Sequence, residues 1–250
     1  MTVLRTGQRA WYIPGVGVRV SRRGVISSTW PLDWTVPGVT APTILFQFKG
    51  APDQASMLTN LGSGAPSYNG VALAPASLPA SDVDRGAVFR GAIDFNTGDG
   101  IATNYPLVGT GSYYYVKNQR LVSDYNGTVT TSQRTGYPNN PRVYLSHYFV
   151  TARLIWGSGS STHIDNSWQA QGSLGLSPGK AYKNGVLVNG ALNTSWSSVS
   201  VMFGGAVVGS SWTGGNWFCC DVPIFAWWAT TISDAAMALW EAAVLERLEL

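Results

Sequence analysis

The sequence is short of charge. Only 12% of its 250 residues are Asp, Glu, Lys or Arg, about half the share of an ordinary soluble domain. Glutamate is nearly absent: its three copies, Glu241, Glu246 and Glu249, all fall at the C-terminal end, and there are only four lysines. Long charged side chains solvate the outer faces of helices, so a mostly helical protein is excluded. The two histidines, His147 and His163, stand apart from the two cysteines and offer no zinc-ligand spacing. Cys219 and Cys220 are neighbours. Adjacent side chains of a strand point to opposite faces, so these two read as buried free thiols rather than a bridge. No stretch reaches the roughly 18 apolar residues of a membrane span. The N-terminus, broken by Arg5 and Arg9, lacks the apolar run of a secretory signal, and a soluble protein is expected.

What the sequence does hold is core material and turns. Apolar residues make up 45%, with eleven Trp and eleven Tyr, and Gly and Pro number 29 and 13. Thr43-Ile-Leu-Phe-Gln-Phe-Lys49 places Ile44, Phe46 and Phe48 on one face, the period of a half-buried strand. Similar runs follow at 87–95, 112–117, 142–156, 199–208 and 216–228, separated by turn-rich segments such as 62–70, 96–100, 137–141 and 157–161. Many strands without intervening helical patterns predict an all-β fold, a two-sheet antiparallel sandwich. Asn184-Gly185 marks the clearest hairpin, because a tight type I′ turn needs two residues at positive φ. One helix is predicted, over 233–247. Ser233 or Asp234 caps it, and Met237, Trp240, Val244 and Leu248 form its apolar stripe.

The charge of +3 is unevenly placed. Arg5, Arg9, Arg19, Arg22 and Arg23 precede the first acid, Asp33, and alternate with Trp11, Tyr12 and Trp30. Residues 1–35 are therefore read as an attachment arm and residues 36–250 as the sandwich domain. An edge strand with solvated arginines is the alternative. Nucleic-acid binding is a third and weaker reading, since five arginines without a compact motif supply electrostatic contact alone.

The order of Ala92-Ile-Asp-Phe-Asn-Thr-Gly-Asp-Gly100, Ala181-Tyr-Lys-Asn-Gly-Val-Leu-Val188, Phe203-Gly-Gly205 and the run from Val222 through Ile232-Ser-Asp-Ala-Ala236 to Trp240 resembles the concanavalin A-like lectin/glucanase superfamily, in its laminin-G-like jelly-roll branch. There a hairpin reads tyrosine, any residue, asparagine, glycine, and a "leucine, serine, aspartate, alanine, glutamate" helix start follows the last core strand; here Ala236 replaces the glutamate. The resemblance covers about residues 85–245. It implies a jelly-roll sandwich and either glycan binding or glycan hydrolysis.

Hydrolysis of the glucanase type needs paired carboxylates about 5 Å apart, and residues 1–240 contain no Glu. Asp82 and Asp84, the nearest approach to a pair, read as loop acids. Gly175-Leu-Ser-Pro-Gly179 matches a nucleophile-elbow pattern but runs into a hairpin rather than a helix. Asp94, Asn96 and Asp99 are a candidate Ca²⁺ loop, weighed against a plain Asx-rich turn; no other cofactor is expected. For glycan stacking the candidates are Trp212, Asn216 and Trp217 beside Gly-rich turns at 210–215, with Tyr113 to Tyr115 and Trp168 as further aromatics.

These observations suit a non-catalytic structural protein of a bacteriophage virion: a capsid decoration, head fibre or tail component. It is expected to be homo-oligomeric and held to capsid or tail subunits by the arm residues Arg5, Arg9, Trp11, Tyr12, Arg19, Arg22, Arg23 and Trp30. A carbohydrate-binding lectin-type module is the alternative, and an enzyme the third.

Overall fold

A computed structural model describes the backbone of residues 8–13, 17–22, 30–72, 77–90, 98–109, 111–119, 143–148, 153–158, 161–165, 171–191, 196–203, 205–208, 211–217 and 219–250. It describes side-chain surroundings for 30–72, 77–90, 98–103, 111–116, 172–191 and 220–250. The chain divides into two units, Met1–Trp30 and Pro31–Leu250. In the first, β1 (Gln8–Ile13) and β2 (Gly17–Arg22) form an antiparallel hairpin with Trp11 opposite Arg19 and Gln8 opposite Arg22.

The second unit contains β3 (Ile44–Gln47), the short α1 (Gln54–Met57), β4 (Ala80–Asp82), β5 (Gly86–Arg90), β6 (Ile101–Gly109), β7 (Ser112–Gln119), β8 (Val143–Tyr148), β9 (Arg153–Ser158) and β10 (Ser161–Asp165). It continues with β11 (Gln171–Ser177), β12 (Lys180–Lys183), β13 (Val186–Asn189), β14 (Trp196–Phe203), β15 (Gly205–Val208), β16 (Ser211–Trp217), β17 (Cys219–Val222), β18 (Ile224–Trp228) and α2 (Asp234–Arg247). All the strand pairs are antiparallel. The result is an antiparallel β-sandwich with a C-terminal helix, as its composition and turn spacing predict. No helix among the described residues is long and apolar enough to cross a membrane.

The central sheet runs β13-β12-β11-β7 and then reaches one long strand interrupted at Pro223. Before the proline, β17 pairs with β5 and β7; after it, β18 pairs with β3 and β7. Proline has no N–H for the ladder, but its carbonyl accepts from the backbone N–H of Phe48 and Lys49 at 2.9 Å each. Gly86 lies at this change of partner with φ +93°, where a Cβ would collide with the Val222 carbonyl oxygen. Several sequence runs thus become two or more strands. Residues 142–156 break into β8 and β9, 199–208 into β14 and β15, and 216–228 into β16, β17 and β18.

At β3 and its neighbour β18 both faces of this sheet are buried, so the half-buried reading of 43–49 is corrected. Phe46 and Phe48 share one face, as their period predicts, but Leu45 and Gln47 on the other are equally covered. Helix α2 is the cover. Its stripe of Met237, Trp240, Val244 and Leu248 packs on Leu45, Tyr114, Val116, Ala226 and Trp228. Trp240 meets Trp228 at 5.1 Å, Trp34 at 5.5 Å and Tyr114 at 6.4 Å between ring centroids.

Trp34 also moves the domain boundary. Residues 31–35, read from sequence as the end of the arm, belong to the sandwich, where Trp34 and Val36 join the helix-side core. The buried Gln47 side chain accepts from Leu32 N and Trp34 Nε1 at 2.9 Å each. From the outside, Arg247 donates to the carbonyls of Asp33 and Thr35 and stands 5.6 Å from the Trp34 ring centre. Burying an indole that also satisfies its N–H outweighs the cost of ordering a short extended segment.

Candidate functional site

The acid inventory comes first, because catalysis in this fold class needs free carboxylates. Ser233 caps α2 by accepting from Ala236 N at 3.1 Å, and the next residue, Asp234, accepts from Lys180 Nζ at 2.6 Å and Tyr182 Oη at 2.8 Å. These donors hold the Asp234 carboxyl below its ordinary range. Two helical turns further, Glu241 is buried. Its Oε2 accepts from Tyr114 Oη and Ser173 Oγ, both at 2.5 Å. Asn184 Oδ1 holds Ser173 N at 3.0 Å, and the Asn184-Gly185 turn, at φ 50° and 71°, lies against the helix. A Cβ at Gly185 would come within 2.7 Å of Glu241 Cβ. Burial, together with the facing Glu241 charge, pushes the Tyr114 hydroxyl well above its usual range. This is a carboxylate locked by two hydroxyls beneath a helix, and it serves to seat the hairpin on α2.

Glu241 was missed as a core residue, although a signal existed. It sits four residues after Met237 and three before Val244, inside the apolar stripe.

Two further acids, Asp82 and Asp99, are similarly committed. Asp82 accepts from the backbone of Asp84 and Arg85 at 3.0 Å and from Arg85 Nε at 2.8 Å, and these bonds lower its carboxyl. It therefore closes the β4–β5 turn and pairs with an arginine. Asp99, from the candidate Ca²⁺ loop, is fully buried. Both its oxygens are taken by Arg90, through the backbone N–H at 2.7 Å, Nε at 2.9 Å and Nη2 at 2.5 Å. A guanidinium already neutralises this carboxylate, so the Ca²⁺ role for Asp99 is corrected to an Arg-paired strut. Asp94 and Asn96 lie outside the described residues. No group of three metal-ligating side chains occurs among the described residues. Ser177 of the elbow-like match is buried at the β11–β12 turn with its Oγ 2.7 Å from Ser112 Oγ.

The aromatic candidates separate. Tyr113, Tyr114 and Tyr115 are each at most 1% exposed in the central strand β7, so they are core residues and not a stacking platform. Trp168 lies outside the described residues. Trp212, Asn216 and Trp217 all fall on β16, which corrects the expected turn at 210–215: those residues are mostly strand. Among the described residues, β15 and β16 pair only with each other. Their register sets Trp212 opposite Val207, Thr213 opposite Ala206 and Trp217 opposite Gly205, with a shift between the last two pairs. Gly214, Gly215 and Asn216 are therefore extra residues that oppose nothing on β15, an extended bulge flanked by the two tryptophans. Of the arm residues, Arg9, Trp11, Tyr12, Arg19 and Arg22 lie on the β1–β2 hairpin, Trp30 closes the first unit, and Arg5 and Arg23 lie outside the described residues.

Fold and pairing together define the class: an all-β antiparallel sandwich with a C-terminal helix. No family model matches the sequence, and no curated protein is similar to it. Among solved structures, the chain is similar to the Trypanosoma rangeli sialidase in complex with sialic acid, with TM-score 0.45 and 12% identity over 65% of this chain and 29% of that one. It is also similar to the CBM40 of the Ruminococcus gnavus IT-sialidase, with TM-score 0.38 and 11% identity over 53% and 82%. For the same CBM40 bound to alpha2,3 sialyllactose the values are 0.39 and 11% over 60% and 95%. The chain thus spans under a third of the sialidase. Likeness at this level says nothing of what the chain binds.

Proposed function

We propose that this chain is a non-catalytic, lectin-type module that binds carbohydrate through the β15–β16 ribbon. The observation that carries this reading is the bulge at Gly214, Gly215 and Asn216 between Trp212 and Trp217. A bulge re-aims strand residues. Indole faces stack on the apolar faces of sugar rings, and an amide offers both donor and acceptor to hydroxyls. The absence of catalysis is supported by the engagement of Asp82, Asp99, Asp234 and Glu241 with structural partners. On a glycan array the full chain is expected to bind a defined set of glycans. Trp212→Ala and Trp217→Ala should each weaken that binding about tenfold or more, the worth of one lost stacking contact. Retained binding in both variants, or release of reducing sugar from a β-glucan, would overturn the reading.

A second reading, favoured by the separate N-terminal unit, places the module on a bacteriophage virion, held to capsid or tail subunits by residues 1–30. Five arginines and no acid, with Trp11 and Tyr12, are the residue types that anchor interfaces. Deleting residues 1–30 should leave the thermal melt of the sandwich intact and abolish co-sedimentation with particles. Unchanged incorporation sinks this second reading and leaves the first untouched.

A further inference from the structure

Trp212 and Trp217 are five positions apart in the sequence. On an unbroken strand an odd separation puts two residues on opposite faces, and five positions span about 17 Å. The pairing of β15 with β16 changes both. Trp212 is opposite Val207 and Trp217 is opposite Gly205. Partners across an antiparallel ladder share a face, and Val207 and Gly205, two positions apart on β15, share theirs. The bulge therefore sets both tryptophans on one face of the ribbon, at register positions about 7 Å apart along it. Gly205 adds no side chain to that face beside Trp217. Ala206, Val208, Ser211 and Thr213 occupy the other face. The ribbon is also free of charge. From Asn184 to Cys220 the sequence contains no Asp, Glu, Lys, Arg or His.

We infer that the ribbon takes a neutral, extended, equatorially linked sugar chain at least two rings long, and neither a lone terminal sugar nor an acidic one. This inference rests on the carbohydrate-binding reading above and names its ligand. Two indoles about 7 Å apart on one face are close enough for two successive rings of one chain to lie on both at once. An equatorially linked chain runs straight and carries apolar C–H faces on every ring, so its consecutive rings stack on a common face. An axially linked chain coils and turns its next ring away. Charge decides against acidic sugars. Taking a carboxylate out of water is costly unless a cation or charge-assisted hydrogen bonds replace its hydration, and the segment from β13 to β16 supplies no cation. Neutral hydroxyls need only neutral donors and acceptors, the type that the amide of Asn216 provides.

The test is titration calorimetry of the full chain with β-1,4-linked oligomers of glucose and of N-acetylglucosamine, as single sugars, disaccharides and hexasaccharides, and with alpha2,3-sialyllactose. One of the neutral series is expected to bind, the disaccharide at least about tenfold tighter than the single sugar because its second ring adds a second stacking contact. Sialyllactose should not bind. Trp212→Ala and Trp217→Ala should each abolish the gain from one ring to two. Trp212→Phe and Trp217→Phe, which keep a ring at each position, should retain most of that gain and serve if an alanine variant does not fold. Thr213→Ala, on the other face, should change nothing. Equal affinity for single sugar and disaccharide, or sialyllactose bound as tightly as the neutral hexasaccharides, overturns this inference alone. So does silence of both neutral series while other glycans on the array bind through Trp212 and Trp217. Binding that both alanine variants leave intact, or no binding of any sugar, overturns the carbohydrate reading together with it.

Discussion

Around β3, β7 and β18 the two faces of the central sheet are both dry, yet they are closed by different means. On one face Phe46, Phe48, Phe225, Tyr113 and Trp227 meet ring to ring, with centroids 5.8–6.3 Å apart. On the other, α2 seals the sheet with aromatics and with directional polar contacts: Glu241 to Tyr114 and Ser173, and Gln47 to Leu32 and Trp34. Ring packing is tolerant of small shifts, whereas a buried carboxylate is satisfied in one geometry only. The polar face therefore fixes where the helix, the Asn184-Gly185 hairpin and the segment 31–36 sit relative to the sheet.

The sharpest way to break this comparison is to remove one aromatic from each face. Trp240→Ala should cost about 3–5 kcal/mol in urea unfolding. It should also release residues 31–36, because Trp34 loses its neighbour; proteolysis near Asp33 reads that release. Phe225→Ala should cost a similar amount while leaving the 31–36 segment protected. Equal exposure of that segment in both variants would mean that the faces are not independent.

Next in size, Glu241→Ala should cost about 2–3 kcal/mol, since it leaves the hydroxyls of Tyr114 and Ser173 buried without their acceptor. Removing donors and acceptor together, in Glu241→Leu/Tyr114→Phe/Ser173→Ala, should restore part of that loss. A triple variant worse than Glu241→Ala would show that the carboxylate contributes more than satisfaction of its neighbours.

A third effect appears in alkali, with one tyrosine on each face. Burial raises the hydroxyls of Tyr113 and Tyr114 above the ordinary value near 10. Both stay protonated in the fold and ionise on unfolding, so their contribution is complete below pH 10 and is lost as pH rises above it. Each further pH unit should cost about 1.4 kcal/mol per tyrosine. Urea melts between pH 8 and 11 measure the slope, and Tyr113→Phe and Tyr114→Phe should each reduce it. An unchanged slope in both would show that these hydroxyls titrate freely in the fold.

The smallest expected change is at Arg247. Arg247→Ala removes one cation–π contact and two exposed hydrogen bonds to the 31–36 segment, worth about 1 kcal/mol. Hydrogen exchange at Thr35 and Val36 should rise while the rest of the sheet is unaffected.

Much of this was legible without coordinates, and the parts that were share a property. Asn184-Gly185 names its own turn through two positive φ angles, and the stripe from Met237 to Leu248 names its own helix by spacing. Phe46 and Phe48 announce a shared face by their period of two. Each signal is complete within about a dozen neighbouring residues. The breaks inside the longer runs were less clear, because the same apolar alternation continues across Pro223, and only the change of partner from β5 to β3 makes two strands of one.

The sequence by itself determined an all-β chain with one capped terminal helix, the hairpin that leans on it, and a basic, acid-free N-terminal stretch, because composition and local periodicity are properties of adjacent residues. Only the tertiary structure decided that Gln47 and Glu241 are buried, that Trp34 belongs to the core rather than the arm, that Asp99 is already neutralised by Arg90, and that Tyr113 to Tyr115 face no ligand. Whether a polar side chain is buried depends on a partner that is distant in sequence: residue 114 for Glu241, 34 for Gln47 and 240 for Trp34. Such pairings are set by the closing of the whole sheet, and no local pattern encodes them.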